Sequence, residues 1–263
     1  MYDFIPKIMK DAAKLMLSAH DIDAGVTVKP GDANFVTAYD VAVEDYLCRE
    51  LSRQMPDAVI IGEEAEENHT ELLRTSLALI IDPIDGTTNF IHNRRYSAIS
   101  VGVCDHGTMT YGAVYHPYED RLYHAEKDHG AFVLTADGRD TPIHTADHSL
   151  AQSLSCFGTS PYYKEELGEK TFRAAFEIFM RTRDIRRSGS AALDLAEIAA
   201  GSIDLFLEYR LSPWDYAAGS LLITEAGGKI TQTDGSPITF DHPCSILAGN
   251  PKAHGEMLGL QIL

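Results

Sequence analysis

Residues 77 to 90 read LALIIDPIDGTTNF. The short apolar run followed by Asp-Pro suits a buried strand, and the Asp-Gly-Thr-Thr that follows suits a sharp turn into a helix. Two carboxylates, Asp82 and Asp85, therefore sit three residues apart at the mouth of a core element. Pro83 biases Asp82 toward extended geometry, and Gly86 permits a tight turn and close backbone approach. A helix beginning at Asp85, Gly86 and Thr87 would present free N–H groups, an anion site, beside both acids. Mg²⁺ joins such features, because it favours a few carboxylates together with phosphate oxygens. The bland alternative makes Asp85 a helix N-cap and Asp82 a turn residue, and this segment alone leaves both readings open.

The rest of the chain bounds the choice. Its 263 residues correspond to one or two domains. Net charge is −17, from 22 basic and 39 acidic residues, which excludes a general nucleic-acid binder lacking a basic footprint. An anionic substrate then needs a local reversal of sign, which divalent cations supply. No apolar run approaches the ~18 residues of a membrane span, and MYDFIPKIMKDAAKLM does not read as a signal peptide. Cys48, Cys104, Cys156 and Cys244 form no CxxC pair, so reduced thiols in a cytoplasmic protein are expected. The formal sequon at Asn68 is then a chance occurrence.

Apolar spacing at Ile5, Ile8, Met9, Ala12, Leu15 and Met16 predicts an amphipathic helix over residues 2–20. A second is expected over 38–55, with Val41, Leu47 and Leu51 inward and Met55-Pro56 closing it. AVIIG (58–62) and LALIID (77–82) read as strands, and SAISVGV and MTYGAVYH as a strand pair joined at CDHGT. The polar stretch 135–149 is the expected boundary between halves 1–145 and 146–263. Beyond it, helices are expected near 164–182, 190–200 and 214–226, and strands near 183–187, 203–208 and 245–249. The pattern is a mixed α/β sandwich rather than a barrel or bundle.

Three further sites place acids at element ends. Gly62-Glu63-Glu64 follows an apolar run; TAYD (37–40) and SPWD (212–215) each resemble a capping box. Taken singly, Asp40 and Asp215 are explained by capping. There is no GxxxxGK[ST] loop, HExxH or GxSxG elbow, and Pro83-Ile84 spoils an EF-hand spacing.

Together, TAYD, GEE (62–64), DPIDGTTNF (82–90) and WDYAAGSLLITEAGG (214–228) resemble, in order and spacing, the inositol monophosphatase family. The family comprises Mg²⁺-dependent, lithium-sensitive phosphomonoesterases related to the fructose bisphosphatases. Lys29 adds a weaker match, and Leu79 departs from a tryptophan found in many members. The resemblance implies a layered α-β-α-β-α sandwich of the sugar-phosphatase type. It implies two or three Mg²⁺ ions: one held by Glu63, Asp82 and the carbonyl of Ile84, one by Asp82, Asp85 and Asp215, and a weaker third by Glu63 and water. It makes Asp40 and Thr87 the pair that orients and deprotonates the attacking water, alongside Glu63, and gives Gly86 and Thr87 to the phosphate. Glu208, Gly189, Ser190 and Ala191, with Asp215, match the family's alcohol pocket, and Thr159 and Ser160 lie near it. Solvation of Glu208 and helix capping by Ser190 are the competing explanations.

The expected substrate is a small phosphate ester, inositol 1-phosphate first, with neither nucleic acid nor membrane as partner and a homodimer as the assembly. Fructose 1,6-bisphosphate, histidinol phosphate and 3′-phosphoadenosine 5′-phosphate are alternatives of the same chemistry. A non-catalytic Mg²⁺-binding protein is the alternative of another class.

Overall fold

The computed structural model describes residues 2–20, 27–28, 35–65 and 69–261, with backbone alone at 27–28 and 35–36. Lys29 and Asn68 lie outside the described residues. Helices are α1 (Phe4–Leu17), α2 (Ala38–Gln54), α3 (Thr87–Ile91), α4 (Lys164–Phe179), α5 (Ala191–Ala199), α6 (Pro213–Glu225) and α7 (Pro251–Gly259). Strands β1 (Thr27–Val28) and β2 (Phe35–Val36) form a small antiparallel pair. A seven-stranded sheet runs in sequence order through β3 (Val59–Gly62), β4 (Leu77–Asp85), β5 (Ala98–Asp105), β6 (Thr108–His116), β7 (Arg121–Glu126), β8 (Ala131–Leu134) and β9 (Asp140–Ile143). Only β3 and β4 pair in parallel within it.

The second sheet holds β10 (Leu154–Phe157), β11 (Asp184–Arg186), β12 (Leu205–Leu211), β13 (Lys229–Thr231) and β14 (Cys244–Gly249), in the order β11-β10-β12-β14-β13. Helices α1 and α2 cover one face of the large sheet, where Ile5, Met9, Leu47 and Leu51 meet Leu79, Ile81, Ile99 and Val101. Its other face, with Ala78, Ile80 and Val114, meets α5 and α6, which also cover Phe206, Ile246 and Ala248 of the second sheet. On the outside, α4 and α7 pack Ala174, Ile178, Ala253 and Met257 against Leu205, Leu207 and Leu247. The order is therefore α-β-α-β-α, as expected. Cover by a sheet on each face explains why α5 and α6 are buried along most of their length.

Several local expectations are revised. Val41 is exposed rather than inward, because the buried row of α2 runs through Asp40, Val43, Glu44, Leu47 and Leu51. Leu15 likewise lies at the edge of the α1 stripe, 36% exposed. The polar stretch 135–149 contains β9, the edge strand of the large sheet. Its polar and Pro-bearing sequence fits an edge, where one side needs no partner. Strand β4 also runs three residues beyond Asp82, to Asp85.

Candidate active site

The segment around Pro83 is where chain geometry becomes chemistry. Side chains alternate across a strand, so residues three apart face opposite sides. Pairing of β4 with β5 is regular to Asp82↔Ser100, then irregular until Asp85↔Ala98. Pro83 has no N–H for the ladder, which accounts for an interruption there. As a result Asp82 and Asp85 reach the same side. Their carboxylates and that of Asp215, from the first turn of α6, each present an oxygen within 4.8 Å of the others.

Each acid is held from its own element. Asp82 accepts from the N–H of Ile84 at 3.0 Å. Asp215 sits in a capping box and accepts from the Ser212 N–H at 2.6 Å. Asp85 is not the N-cap of α3; that position is Gly86, at φ +91°. Instead the Asp85 carboxylate spans to α5, accepting from the Ser190 hydroxyl and from the Ala192 N–H at 2.9 Å. It thus sits at the N-terminus of a different helix from the one the sequence suggested. A side chain at Gly86 would approach the Gly189 carbonyl to 3.0 Å, so the tight contact between the two loops depends on glycine there.

Asp40 caps α2 in a box with Thr37, accepting from its N–H at 2.8 Å and from its hydroxyl. Its other oxygen lies 3.3 Å from the Thr87 hydroxyl, which is also 3.3 Å from the Ile84 carbonyl. Both aspartates thus cap their helices; Asp215 lines the cleft, whereas buried Asp40 is not among the lining residues and is linked to it only through Thr87. Glu63 stands outside the tight trio but lines the same cleft, and its charge bears on Asp82 and Asp215.

Electrostatics reflect crowding of like charge. Burial first, then the charges of Glu63, Asp85 and Asp215, push Asp82 well up from the carboxylate range. Asp215 is pushed up by burial, then by Asp85 and Glu63. Burial raises Asp85 to about 6 against its hydrogen bonds from Ser190 and Ala192. Asp40 also rises to about 6, through burial, against the bonds from Thr37. An all-oxygen donor set of converging, mutually repelling carboxylates fits a hard divalent cation such as Mg²⁺.

The cleft has a volume of about 310 Å³. Gly86, Thr87, Gly189, Ser190, Ala191 and Glu208 line it with the metal-type acids. Glu208, on β12, is buried rather than solvated; Ser160 donates to it from N–H at 2.7 Å and hydroxyl at 3.2 Å. Burial moves its carboxyl up to about 7. Ser190 does cap α5, with its hydroxyl 3.4 Å from the Leu193 N–H, while also holding Asp85. Thr159 is one position away and binds Arg187 instead. Sequence reasoning missed Tyr162, Arg187, Asp194 and Arg210, which also line the cleft. No spacing signal marks them, because the loop before α4 and the β12 end meet only in the folded chain.

A profile of the inositol monophosphatase family matches residues 1–261. The chain belongs to the inositol monophosphatase family. An inositol-1-monophosphatase of Bacillus subtilis is 34% identical over 249 residues, 94% of this chain and 90% of that protein. The structure of the Anabaena inositol monophosphatase superposes with a TM-score of 0.84 at 29% identity, over 99% of this chain and 94% of that one. SaIMPase-II of Staphylococcus aureus with inositol monophosphate bound gives 0.79 at 29%, covering 98% and 92%. Membership makes the chain a phosphatase of a metal-dependent family, and the acidic cleft is consistent with that. Among the described residues no helix is long and apolar enough to cross a membrane.

Proposed function

We propose that the protein hydrolyses inositol 1-phosphate to inositol and phosphate in the presence of Mg²⁺. The observation that carries this reading is the convergence of Asp82, Asp85 and Asp215 in one cleft with buried Glu208. Glu63, Asp82, the Ile84 carbonyl, Asp85 and Asp215 would hold two or three Mg²⁺ ions, with Asp82 shared. When bound, Mg²⁺ supplies Lewis-acid polarisation of the phosphate and lowers the pKa of water.

The chain's own groups do the rest. Thr87 and Asp40 orient a water for in-line attack on phosphorus; Asp40 takes its proton as the ester P–O bond breaks, and the alcohol oxygen leaves with a proton from solvent water. Burial raises the Asp40 carboxyl above the ordinary aspartate range, which makes it a stronger base than a solvated carboxylate. The N–H groups of Gly86 and Thr87, at the start of α3, face the phosphate. Glu208, fixed by Ser160, accepts from hydroxyls of the alcohol, and Gly189, Ser190 and Ala191 shape the wall beside it.

Support for the alcohol comes from the Bacillus and Staphylococcus proteins, whose names and ligand concern inositol phosphate. A related structure, SaIMPase-II with 2′AMP, shows that such a fold also takes a nucleoside phosphate. We assign the protein to the cytoplasm, in keeping with four free cysteines, and treat 1–145 and 146–263 as two tightly packed halves, each with its own sheet. We also assign a homodimer. Phe172, Phe176, Phe179 and Met180 leave an apolar row at 48–64% exposure along the outer helix α4, a patch of the kind that marks interfaces.

The test is phosphate release from a panel of monoesters with and without Mg²⁺, and with millimolar Li⁺. Release from inositol 1-phosphate that requires Mg²⁺ and falls with Li⁺ is expected. Preference for another ester, or indifference to Mg²⁺, overturns the reading. Light scattering should give twice the chain mass, and Phe176→Asp should return it to one.

A further inference from the structure

The buried row of α2 contains a carboxylate that helix capping does not explain. Asp40 caps the helix, but Glu44, four residues on and 6% exposed, sits in that row between Val43 and Leu47. A carboxylate held out of water is costly unless hydrogen-bond donors reach it. One donor is the N–H of Glu64, 3.0 Å from Glu44 Oε2. The whole carboxylate lies over Gly62, where a Cβ would come within 2.5 Å of Oε1, 2.7 Å of Cδ and 2.8 Å of Oε2. The glycine of Gly62-Glu63-Glu64 thus makes the space that the Glu44 carboxylate occupies.

Glu63 stands between two tethered peptide groups. Its own N–H donates to the Ile81 carbonyl at 3.3 Å, on the strand that carries Asp82. The next N–H, that of Glu64, donates to Glu44, on the helix that carries Asp40. The backbone is therefore held on both sides of Glu63, whose side chain lines the acidic cleft. We propose that Glu44 is a positioning residue for Mg²⁺, which acts by fixing the Glu63–Glu64 peptide so that the Glu63 carboxylate is set at the cleft for metal binding. This rests on the metal-dependent reading above and adds a residue behind one of its ligands. One helix then frames both Asp40, which orients water in that reading, and the support of Glu63.

Mg²⁺ binding to the full chain is measured by titration calorimetry, beside the Mg²⁺ concentration for half-maximal phosphate release from inositol 1-phosphate. Glu44→Ala should weaken Mg²⁺ by about ten-fold or more in both, the scale for a partner behind a metal ligand. Glu44→Gln keeps an acceptor oxygen for the Glu64 N–H and should recover most of the loss. Gly62→Ala should match Glu44→Ala, because its Cβ displaces the carboxylate, and the double variant should be no weaker than either single one. Val43→Ala shortens a neighbour in the same buried row; it should lower the melting temperature and leave Mg²⁺ affinity unchanged. Circular dichroism establishes that each variant is folded; should Glu44→Ala not fold, the comparison is read between Gly62→Ala and Glu44→Gln.

Unchanged Mg²⁺ affinity in folded Glu44→Ala overturns the role. So does a Glu44→Gln as weak as the alanine variant, or losses from Gly62→Ala and Glu44→Ala that multiply in the double variant. An equal loss in Val43→Ala also overturns it, by making Glu44 a packing residue. In each of these cases the wild type still binds Mg²⁺ and releases phosphate. A wild type that does neither overturns the metal-dependent phosphomonoesterase reading and this role with it.

Discussion

The carboxylates of Asp82 and Asp85 present oxygens within 4.8 Å of each other, although residues three apart on a regular strand face opposite ways. The break in pairing at Pro83, between Asp82↔Ser100 and Asp85↔Ala98, brings them together. Asp85 is then steadied by a second element, through Ser190 and the N–H of Ala192. The geometry of the strand end and the start of α5 are thus parts of one device.

Ser190→Ala removes the hydroxyl donor to Asp85 while leaving the Ala192 N–H. The carboxylate loses orientation rather than its place, so the concentration of Mg²⁺ needed for half-maximal activity should rise about ten-fold or more, as for other partners behind a metal ligand. A titration of activity with Mg²⁺ measures it. Ser190→Thr, which keeps the hydroxyl, should recover most of the loss; an unchanged Mg²⁺ requirement in the alanine variant contradicts the role.

Mg²⁺ should stabilise the protein against heat by filling a cluster of repelling acids. At one hundred times the dissociation constant the gain is about 2.7 kcal/mol, or roughly 5–10 °C for a chain of this size. Calorimetry with and without Mg²⁺ reads the shift. Asp215→Asn and Asp85→Asn should lose most of it and lower turnover at least about a hundred-fold, with circular dichroism showing a retained fold. Near-native turnover in either variant at saturating Mg²⁺ excludes the shared site.

Glu208→Gln keeps size and burial but replaces a carboxylate with an amide. The ratio of kcat/KM for inositol 1-phosphate to that for a simple aryl phosphate should fall about ten-fold or more, because only the inositol ester offers hydroxyls to this side chain. Equal losses on the two esters would assign Glu208 to phosphate chemistry or to structure.

His254 on α7 is buried, with Nε2 3.0 Å from the Thr231 hydroxyl. Burial, helped by the charge of Lys229, lowers it from 6.5 to about 4. Between those values the unfolded chain binds the proton and the folded chain does not, so stability falls as pH drops. The contribution is fully present above about pH 6.5 and is lost progressively toward pH 4. Urea midpoints at pH 7 and pH 5 should differ less in His254→Gln than in the wild type; identical differences rule the effect out.

Much of this was legible in the chain. Amphipathic spacing located α1 and α2, apolar runs located β3 and β4, and Thr37 and Ser212 announced helix starts that do carry capping boxes. Local chemistry suffices there, because caps, turns and periodicity depend on residues a few positions apart. Edge strand β9 was hidden by its polarity, and Val41 by its nearness to the buried row of α2.

What only the tertiary structure decided is which acids share a space. By itself the sequence determined that Asp40, Glu63, Asp82, Asp85 and Asp215 stand at element ends, and left capping as an adequate account of three of them. Folding added the bulge that turns Asp82 and Asp85 to one side, the capture of Asp85 by α5, and the burial that makes Glu208 a pocket wall. It also brought Arg187, just past β11, and Arg210, on β12, to the same cleft, although no local signal joins them. The physical reason is range: a hydrogen bond or a helix face is set within a few residues, whereas convergence and desolvation exist only between segments that packing has joined.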